Sequence, residues 1–342
     1  MGDRQTSGPA RSRQLLFLAG CAAAVLTVAG YVMLTTSRSG SRAAAAATAS
    51  TPIITAVPEG AVMLFRNAAP GPLYGRIAVA TLANADLSRQ ITPIACERVH
   101  YAAGWGVCMM SDEARLPIRY SAFIFDRFFE RHQTIALTGP PVRARVSPDG
   151  RRAALTVFER GHSYADESFS TKTIIVDTTG GPAADLEQFA VEKDGHGFKA
   201  VDFNFWGVTF ARDGDRFFAT LKTGGERYLV RGSVDARTMT VVRPGVECPS
   251  LSPDGALIVF KKPLQHGIGW HLNVLDLATG TERPLNQVRP SVDDQVDWFD
   301  DRQVVYHDSA SEGTGIWVLP VDGVTPPRLI LPHAYSPAIS RN

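Results

Sequence analysis

Short apolar runs separated by turn residues dominate the chain beyond residue 58. The runs at 152–158, 216–221 and 256–261 each follow a turn motif and lead into another run of similar length. Runs of this length, bounded by Gly, Pro and Asp, are typical of β-strands, and no long stretch of helical periodicity competes with them. The pattern therefore predicts an all-β domain over residues 59–342.

The turn motifs recur at regular places. Ser-Pro-Asp-Gly occurs at 147–150 and 252–255, with degenerate copies at 211–214 and 299–301. Pro presets φ, Asp bonds its own turn and Gly accepts positive φ, so each copy predicts a tight hairpin. An apolar run then ends in an aspartate 21 residues after the turn in three copies and 27 residues after it in the first. These four aspartates are Asp177, Asp235, Asp276 and Asp322.

Each repeat unit holds four strands in about 40 to 50 residues, the size of one propeller blade. A single sheet cannot bury both faces, whereas blades stacked around an axis can. Two weaker units, at 61–82 and 96–126, bring the count to six. We therefore predict a six-bladed β-propeller of four-stranded antiparallel blades, with five or seven blades as alternatives. The segment 334–339 is expected to dock on the first blade and close the ring.

Two segments carry a family resemblance. Val-Ser-Pro-Asp-Gly-Arg-Arg-Ala-Ala at 146–154 and Leu-Ser-Pro-Asp-Gly-Ala-Leu-Ile-Val-Phe at 251–260 resemble the repeat of TolB-like, WD40-like β-propellers. The resemblance covers roughly residues 56–342 and implies six blades and an extracytoplasmic location. That family includes the partner-binding module of the Tol-Pal envelope system and the noncatalytic propellers of prolyl oligopeptidases. The α/β domain of TolB, the hydrolase domain of the peptidases and a Gly-x-Ser-x-Gly elbow have no counterpart here, so the resemblance implies the fold alone.

A membrane segment is predicted ahead of the propeller. Residues 15–34 contain no charged side chain. As a helix rising about 1.5 Å per residue, they would cover roughly 30 Å, the thickness of a bilayer core. Three arginines precede the segment and two follow it, which favours a cytoplasmic N-terminus. We therefore expect a cytoplasmic tail at 1–14, a transmembrane signal anchor at 15–34, an Ala-, Ser- and Thr-rich spacer at 35–58, and the propeller outside the cytoplasm.

Two alternatives to an uncleaved anchor stay open. Ala-Thr-Ala at 47–49 fits a signal-peptide cleavage pattern, although it lies far beyond the apolar run. Leu-Ala-Gly-Cys at 18–21 is similar to a lipobox that would carry a lipid on Cys21, although few apolar residues precede it. All three interpretations place the main domain on the extracytoplasmic side.

The cysteines fit that location. Cys96 and Cys108 flank a stretch that reads as strand, Gly-containing turn and strand, so they can face each other across a hairpin. We expect a disulfide, because such bonds persist outside the cytoplasm; two buried thiols are the alternative. Cys248 has no remaining partner and is expected to be a small core residue.

Charge and motifs argue against several functions. The first 55 residues hold five basic residues and one acidic residue, which leaves 30 basic and 33 acidic residues in the remainder. No basic surplus is present to bind nucleic acid. Phosphate-binding loops, dinucleotide fingerprints and His-Glu-x-x-His are absent, so we assign no catalytic residue and no cofactor. The acidic stretch 293–301 overlaps the repeat turn, and we predict no metal there.

The inner strands and two long connections supply the candidate binding residues. Alignment of the repeats places charged and aromatic residues on the innermost strands, where burial requires water, an ion pair or a ligand. The connection after residue 158 carries six extra residues, and the next connection, over 180–200, is also long. Long polar loops on a rigid scaffold often bind partners. The candidates are Arg143, Trp206, Glu247, Asp294 and Gln295 on the strands, and His162, Tyr164 and Asp166 in the connection.

These observations favour a noncatalytic, membrane-tethered propeller that acts as a protein-binding or scaffold module at the cell envelope. Its expected partner is an envelope protein or a small ligand. The alternatives are a propeller hydrolase of the lactonase or glycosidase type and a small-ligand sensor, both acting through the central channel.

Overall fold

The fold is described from a computed structural model, which describes residues 18–28, 30, 52–83, 87–159, 169–264, 269–288, 294, 296–308 and 314–341. The chain divides into two units, Met1–Thr51 and Pro52–Asn342. In the first unit, residues 18–28 form an α-helix. None of the helices within the described ranges has both the length and the apolar character needed to cross a bilayer. Residues 18–28 and 30 of the predicted anchor are described, whereas its two ends and most of the predicted spacer lie outside the described residues. The anchor and the spacer both stay predictions.

The second unit consists of β-strands arranged as successive blades. The first blade begins with β1 (Val62–Asn67), β2 (Arg76–Thr81) and β3 (Gln90–Ala95). The second contains β4 (Arg98–Ala102), β5 (Trp105–Asp112), β6 (Arg119–Asp126) and β7 (Arg131–Leu137). The third contains β8 (Pro141–Val146), β9 (Arg152–Phe158), β10 (Thr171–Asp177) and β11 (Ala184–Asp185), followed by a short 3-10 helix (Leu186–Gln188).

The remaining blades follow in chain order. The fourth contains β12 (Ala190–Lys193), β13 (His196–Phe198), β14 (Asn204–Phe210), β15 (Arg216–Thr223), β16 (Glu226–Ser233) and β17 (Thr238–Pro244). The fifth contains β18 (Glu247–Leu251), β19 (Leu257–Pro263), β20 (Trp270–Asp276) and β21 (Glu282–Pro284). The sixth contains β22 (Asp297–Trp298), β23 (Gln303–Asp308), β24 (Gly315–Pro320) and β25 (Arg328–Pro332), and β26 (Ala334–Ser340) follows it.

The last strand closes the ring. β26 pairs antiparallel with β1, from Val62 opposite Ser340 to Asn67 opposite Ala334, and so becomes the innermost strand of the first blade. The prediction that segment 334–339 docks on the first blade is confirmed. The predicted six blades, each with four antiparallel strands, are also present, and only the fourth carries additional strands.

The fourth blade is larger than the others. The sequence pattern predicts a plain connection over 180–200, but β12 and β13 extend this blade to six strands. β12 runs parallel to β17, and β13 turns back through Asp194 and Gly195, both with positive φ. An Asp-Gly pair with these angles is typical of a type I′ hairpin. The two strands are too short for their alternation to be read from the sequence.

Apolar clusters fill the contacts between neighbouring blades. Each of the six interfaces holds one cluster of buried side chains. Between the third and fourth blades, for example, Ala154 and Ile175 pack in one cluster with Phe205 and Phe217. The blades thus bury their faces against one another around the axis, which is what a propeller requires of isolated sheets.

The repeated turns fold in the same way. The Gly150 N–H donates to the Ser147 carbonyl at 2.8 Å, and the Gly255 N–H donates to the Ser252 carbonyl at 2.9 Å. Each serine hydroxyl also bonds the aspartate of its own turn. The predicted hairpins are therefore present, and they hold the top of each inner strand in a fixed position.

Cys96 and Cys108 form the predicted disulfide, with Cα atoms 5.4 Å apart. Cys96 lies just before β4 and Cys108 lies on β5, so the bond closes the hairpin of the second blade. Cys248 is buried and takes no part in this disulfide.

Candidate functional site: the axial cavity

The inner strands of the blades surround a cavity of about 310 Å³ on the axis. It opens on the face that carries the repeated turns, which we call the upper face. Every blade contributes a wall residue from the end of its inner strand. These six residues are Ala102, Val146, Phe210, Leu251, Trp298 and Ile339. Because each inner strand ends at the same height, the cavity follows directly from the six-fold repeat.

The walls are mainly apolar and the rim is cationic. Phe210 and Trp298 are buried, and the Trp298 indole N–H donates to the Ser250 carbonyl at 3.0 Å, which fixes the ring. Arg212 and Arg341 lie exposed at the rim, and Arg212 donates to the Pro253 carbonyl at 3.1 Å. The mouth therefore presents positive charge around an apolar interior.

The floor of the cavity is a polar network that crosses the axis. Arg145 on β8 donates through Nη1 to Asp297 Oδ1 at 2.7 Å and through Nη2 to the Val296 carbonyl at 3.0 Å. His100 on β4 lies beside this pair, with its Nε2 3.5 Å from Asp297 Oδ2. All three residues are buried, with at most 9% of their surface exposed. The network joins the second, third and sixth blades.

Both carboxylate oxygens of Asp297 accept hydrogen bonds. Besides Arg145, its carboxylate accepts the backbone N–H of Trp298 at 3.0 Å and that of Ile339 at 2.7 Å. Burial alone would raise the pKa of Asp297, but the charge of Arg145 and the hydrogen bond with His100 outweigh it and hold the pKa well below its usual range. The carboxylate therefore stays ionised and has little capacity to take up a proton or bind a metal.

His100 is neutral in this network. The Val146 backbone N–H donates to Nδ1 at 3.1 Å, so Nδ1 carries a lone pair and the ring hydrogen belongs on Nε2, facing Asp297. Arg145 Nη1 lies 3.0 Å from Nε2 and donates to Asp297 Oδ1. Burial lowers the pKa of His100, and the Asp297 hydrogen bond only partly opposes this.

A second ion pair crosses the channel below the first. Arg143 Nη1 lies 3.3 Å from Asp294 Oδ1, and both residues are buried. Arg143 and Arg145 are two residues apart on β8, so their side chains lie on the same face of the strand. The third and sixth blades lie opposite each other in a ring of six, so two stacked arginine–aspartate pairs span the axis.

Among the residues predicted from the sequence, Arg143 and Asp294 are brought together, while Glu247 and Trp206 have separate surroundings. Glu247 accepts the Trp270 indole N–H at 3.1 Å and lies 3.0 Å from Arg227 Nε. Trp206 is fully enclosed and packs against Phe169 and Cys248. The other predicted positions, Gln295, His162, Tyr164 and Asp166, lie outside the described residues. A binding role for all eight stays a prediction.

The floor residues His100, Arg145 and Asp297 are missing from the sequence prediction. A signal for Arg145 exists, because a residue two places beyond Arg143 on a strand faces the same side. His100 looks isolated in the sequence, and Asp297 is hidden among the aspartates of the repeat turn. Their partners come from other blades, which local patterns do not reveal.

Bulges in the inner strands explain how polar groups reach the axis. β8, β14, β18 and β26 each show a register shift near their lower end. In three of them a residue at the shift has positive φ, namely Gly207, Cys248 and Ser336. A bulge bends the strand and redirects the neighbouring side chains.

One described group on the upper face, Asp126, Glu130 and His132, brings ligand-type atoms within 4.8 Å of one another. Asp126 already accepts the N–H groups of Phe128 and Glu130 and pairs with His132 at 2.9 Å. It is the second blade's copy of the aspartate signature that ends the third strand. The local bonds account for this cluster as a turn.

Comparison with protein-family models finds no match, and comparison with curated protein sequences finds none either. Solved structures do match. TolB from Acinetobacter baumannii aligns with a TM-score of 0.57 and 16% identity, over 82% of this chain and 67% of that chain. A nidogen/laminin complex aligns with a TM-score of 0.55 and 11% identity, over 82% of this chain and 98% of that chain. An oligogalacturonate lyase in complex with manganese aligns with a TM-score of 0.45 and 12% identity, over 73% of each chain. The chain therefore has a TolB-like six-bladed β-propeller fold.

Proposed function

We propose that this propeller is a noncatalytic binding module that receives a segment of a partner protein in its axial cavity. The observation that carries the proposal is the contrast between the cavity's walls and its floor. The floor charges are bonded to one another and to backbone groups, whereas the apolar walls and the exposed arginines at the rim are available for contact.

This arrangement supports recognition better than chemistry. A general base must take up a proton near working pH, and a metal site needs uncommitted ligand atoms. Asp297 satisfies neither requirement, because four donors or charged groups surround it and its pKa is depressed. In the proposed complex, an apolar side chain of the partner is buried in the cavity and acidic residues of the partner contact Arg212 and Arg341. An apolar centre with a polar rim is the usual composition of a protein interface.

One of the similar solved structures is itself a complex, between nidogen and laminin. That observation belongs to that protein, but it is consistent with the use of this fold for protein recognition.

We further propose that residues 15–34 tether the propeller to the outer face of the cytoplasmic membrane. The support is the uncharged stretch with its flanking arginines. Carbonate extraction should leave the full chain in the membrane fraction, whereas a chain beginning at residue 52 with a cleavable export signal should be soluble. Protease added to spheroplasts should digest the propeller. Protection from protease in intact spheroplasts would contradict an extracytoplasmic location.

Site-specific photo-crosslinking tests the binding proposal. A benzophenone amino acid placed at Arg212 or Arg341 should capture a defined partner in cells, whereas one placed at Val242, exposed on the outer part of the fourth blade, should not. The crosslink from position 341 should be lost in Arg212→Glu and kept in Arg328→Glu, a matched charge reversal on the sixth blade. Equal labelling from positions 341 and 242 would contradict the cavity as the binding site.

A small-ligand function has one observation in its favour, since about 310 Å³ lies at the lower end of ligand-pocket volumes. A thermal shift screen against metabolites, with Leu251→Trp to fill the cavity, separates this alternative. A shift seen in the wild type and abolished by the filling variant would favour the small ligand.

A further inference from the structure

A second groove lies on the lower face, at the opposite end of the inner strands from the axial cavity. Its volume is about 560 Å³, and it is bordered by the first, second and third blades. Its charged and polar lining includes Arg66, Glu97, Arg98, Glu113 and Tyr335. The two stacked ion pairs of the channel, Arg145–Asp297 and Arg143–Asp294, separate this groove from the upper cavity.

Arg66 enters this groove from the end of β1. Its guanidinium lies 4.9 Å from the centroid of the Tyr74 ring, and a Cβ at Gly75 would lie 3.5 Å from Nη2. Its Nε is buried, and within the described ranges it meets neither a hydrogen-bond acceptor nor a carboxylate. A half-buried guanidinium without an anion is costly, because the protein displaces water that is not replaced.

Arg98 enters the same groove from the start of β4. Its Nε donates to the Val142 carbonyl at 2.8 Å, and the guanidinium lies 4.7 Å from the centroid of the Tyr335 ring. These contacts orient the side chain without neutralising its charge, and no carboxylate of the described residues forms an ion pair with it. Burial raises the pKa of Tyr335 to about 12, so its phenol keeps a hydrogen to donate.

The acidic residues of the groove are placed differently. Glu97 accepts the Ser111 backbone N–H at 2.7 Å, which engages its carboxylate locally. Glu113 is exposed, where solvent and salt screen its charge. Among the partly buried charges of the groove, the two arginines therefore outnumber the one held carboxylate, that of Glu97.

We propose that the lower groove binds an anionic group, a carboxylate or a phosphate, through Arg66 and Arg98. Guanidinium groups bind both anions through paired, charge-assisted hydrogen bonds. This site does not depend on the function proposed for the upper cavity.

Isothermal titration of the full chain in a neutral detergent tests the proposal, with inorganic phosphate and glutarate as separate probes at constant ionic strength. Saturable binding of one probe is expected, and the stronger probe identifies the anion. Arg66→Gln and Arg98→Gln should each weaken binding about tenfold or more. Arg66→Lys should retain part of the affinity, and Glu113→Lys should increase it.

Arg328→Gln, which removes an exposed arginine on the sixth blade, should bind like the wild type. Circular dichroism of each variant reports whether it folds. If Arg98→Gln fails to fold, Arg66→Gln and Glu113→Lys decide the question. The proposal is overturned if neither probe saturates, or if the two glutamine variants bind within twofold of the wild type.

Discussion

Arg145 and Asp297 meet at 2.7 Å on the propeller axis although 152 residues separate them in the chain. They belong to opposite blades, and Asp297 also accepts the backbone N–H of Ile339 on the closing strand. One carboxylate therefore ties three blades to one another at the point where the ring closes. Its loss should weaken the whole ring as well as one contact.

Replacement of Asp297 should destabilise the fold strongly. Asp297→Asn leaves the buried Arg145 without its counter-charge, and breaking a buried pair in this way costs about 3 kcal/mol or more. Urea unfolding followed by tryptophan fluorescence measures the loss. Asp301→Asn, at an exposed turn position nearby, should change the stability by less than about 0.5 kcal/mol. Equal stability of the two variants would show that the axial pair does not hold the ring.

Stability should fall as the pH is lowered below about 6.5. His100 is held neutral in the fold, because burial lowers its pKa, whereas the unfolded chain takes up a proton near pH 6.5. The unfolded state then binds more protons, so its free energy falls relative to the folded state by at most about 1.4 kcal/mol per pH unit for this group. His307, whose pKa burial also lowers, adds to the effect in the same direction.

His100→Asn should flatten this dependence, because the amide oxygen can still accept the Val146 N–H but does not titrate. His196→Asn, in the exposed β12–β13 hairpin, provides the control and should keep the wild-type slope. Unfolding free energies between pH 5 and pH 7.5 make the comparison. Parallel pH profiles for wild type and His100→Asn would rule out a neutral His100 as the source.

Two equivalent glycines of the repeated turn should respond differently to alanine. Gly150 and Gly255 have φ values of +74° and +76°, so each substitution carries the left-handed cost of about 1 kcal/mol. A Cβ at Gly150 would also lie 2.9 Å from the Ala103 carbonyl oxygen, whereas a Cβ at Gly255 meets nothing within 4 Å. Gly150→Ala should therefore be the more destabilising in thermal unfolding. Equal melting temperatures of the two variants would mean that the backbone at Ala103 in the second blade moves to accommodate the methyl group.

Reduction of the Cys96–Cys108 bond should cost about 3 kcal/mol, from the entropy regained by its short loop on unfolding. Thermal melts with and without reductant measure this effect. A Cys96→Ser and Cys108→Ser double variant should match the reduced wild type and become insensitive to reductant. If reductant lowers the melting temperature of the double variant equally, the effect comes from another source.

The blade repeat is readable from the sequence because each turn is built by residues next to one another. Ser147 and Gly150 form their turn with bonds that span three residues, so the same four letters predict the same geometry at Ser252 and Gly255. The 21-residue spacing to the next aspartate then sets the strand lengths. Patterns between residues close in the sequence were therefore enough to predict the six blades and the disulfide hairpin.

The site is harder to read because its partners come from distant blades. Arg143 could be placed on an inner strand, but its pairing with Asp294 depends on the ring bringing opposite blades together. Bulges at Gly207 and Cys248 shift the register by one residue, which defeats simple alternation. The two extra strands of the fourth blade form short pairs that leave only the Asp194-Gly195 turn as a signal.

The pairing of β26 with β1 has a consequence for biosynthesis. A ribosome has to deliver the chain up to Ser340 before the first blade can acquire its central strand. Until then Val62, Leu64 and their neighbours form an open sheet edge that other chains can join. Nascent molecules therefore expose this edge until β26 has emerged, and a premature stop before Ala334 should be enough to send the product to proteolysis.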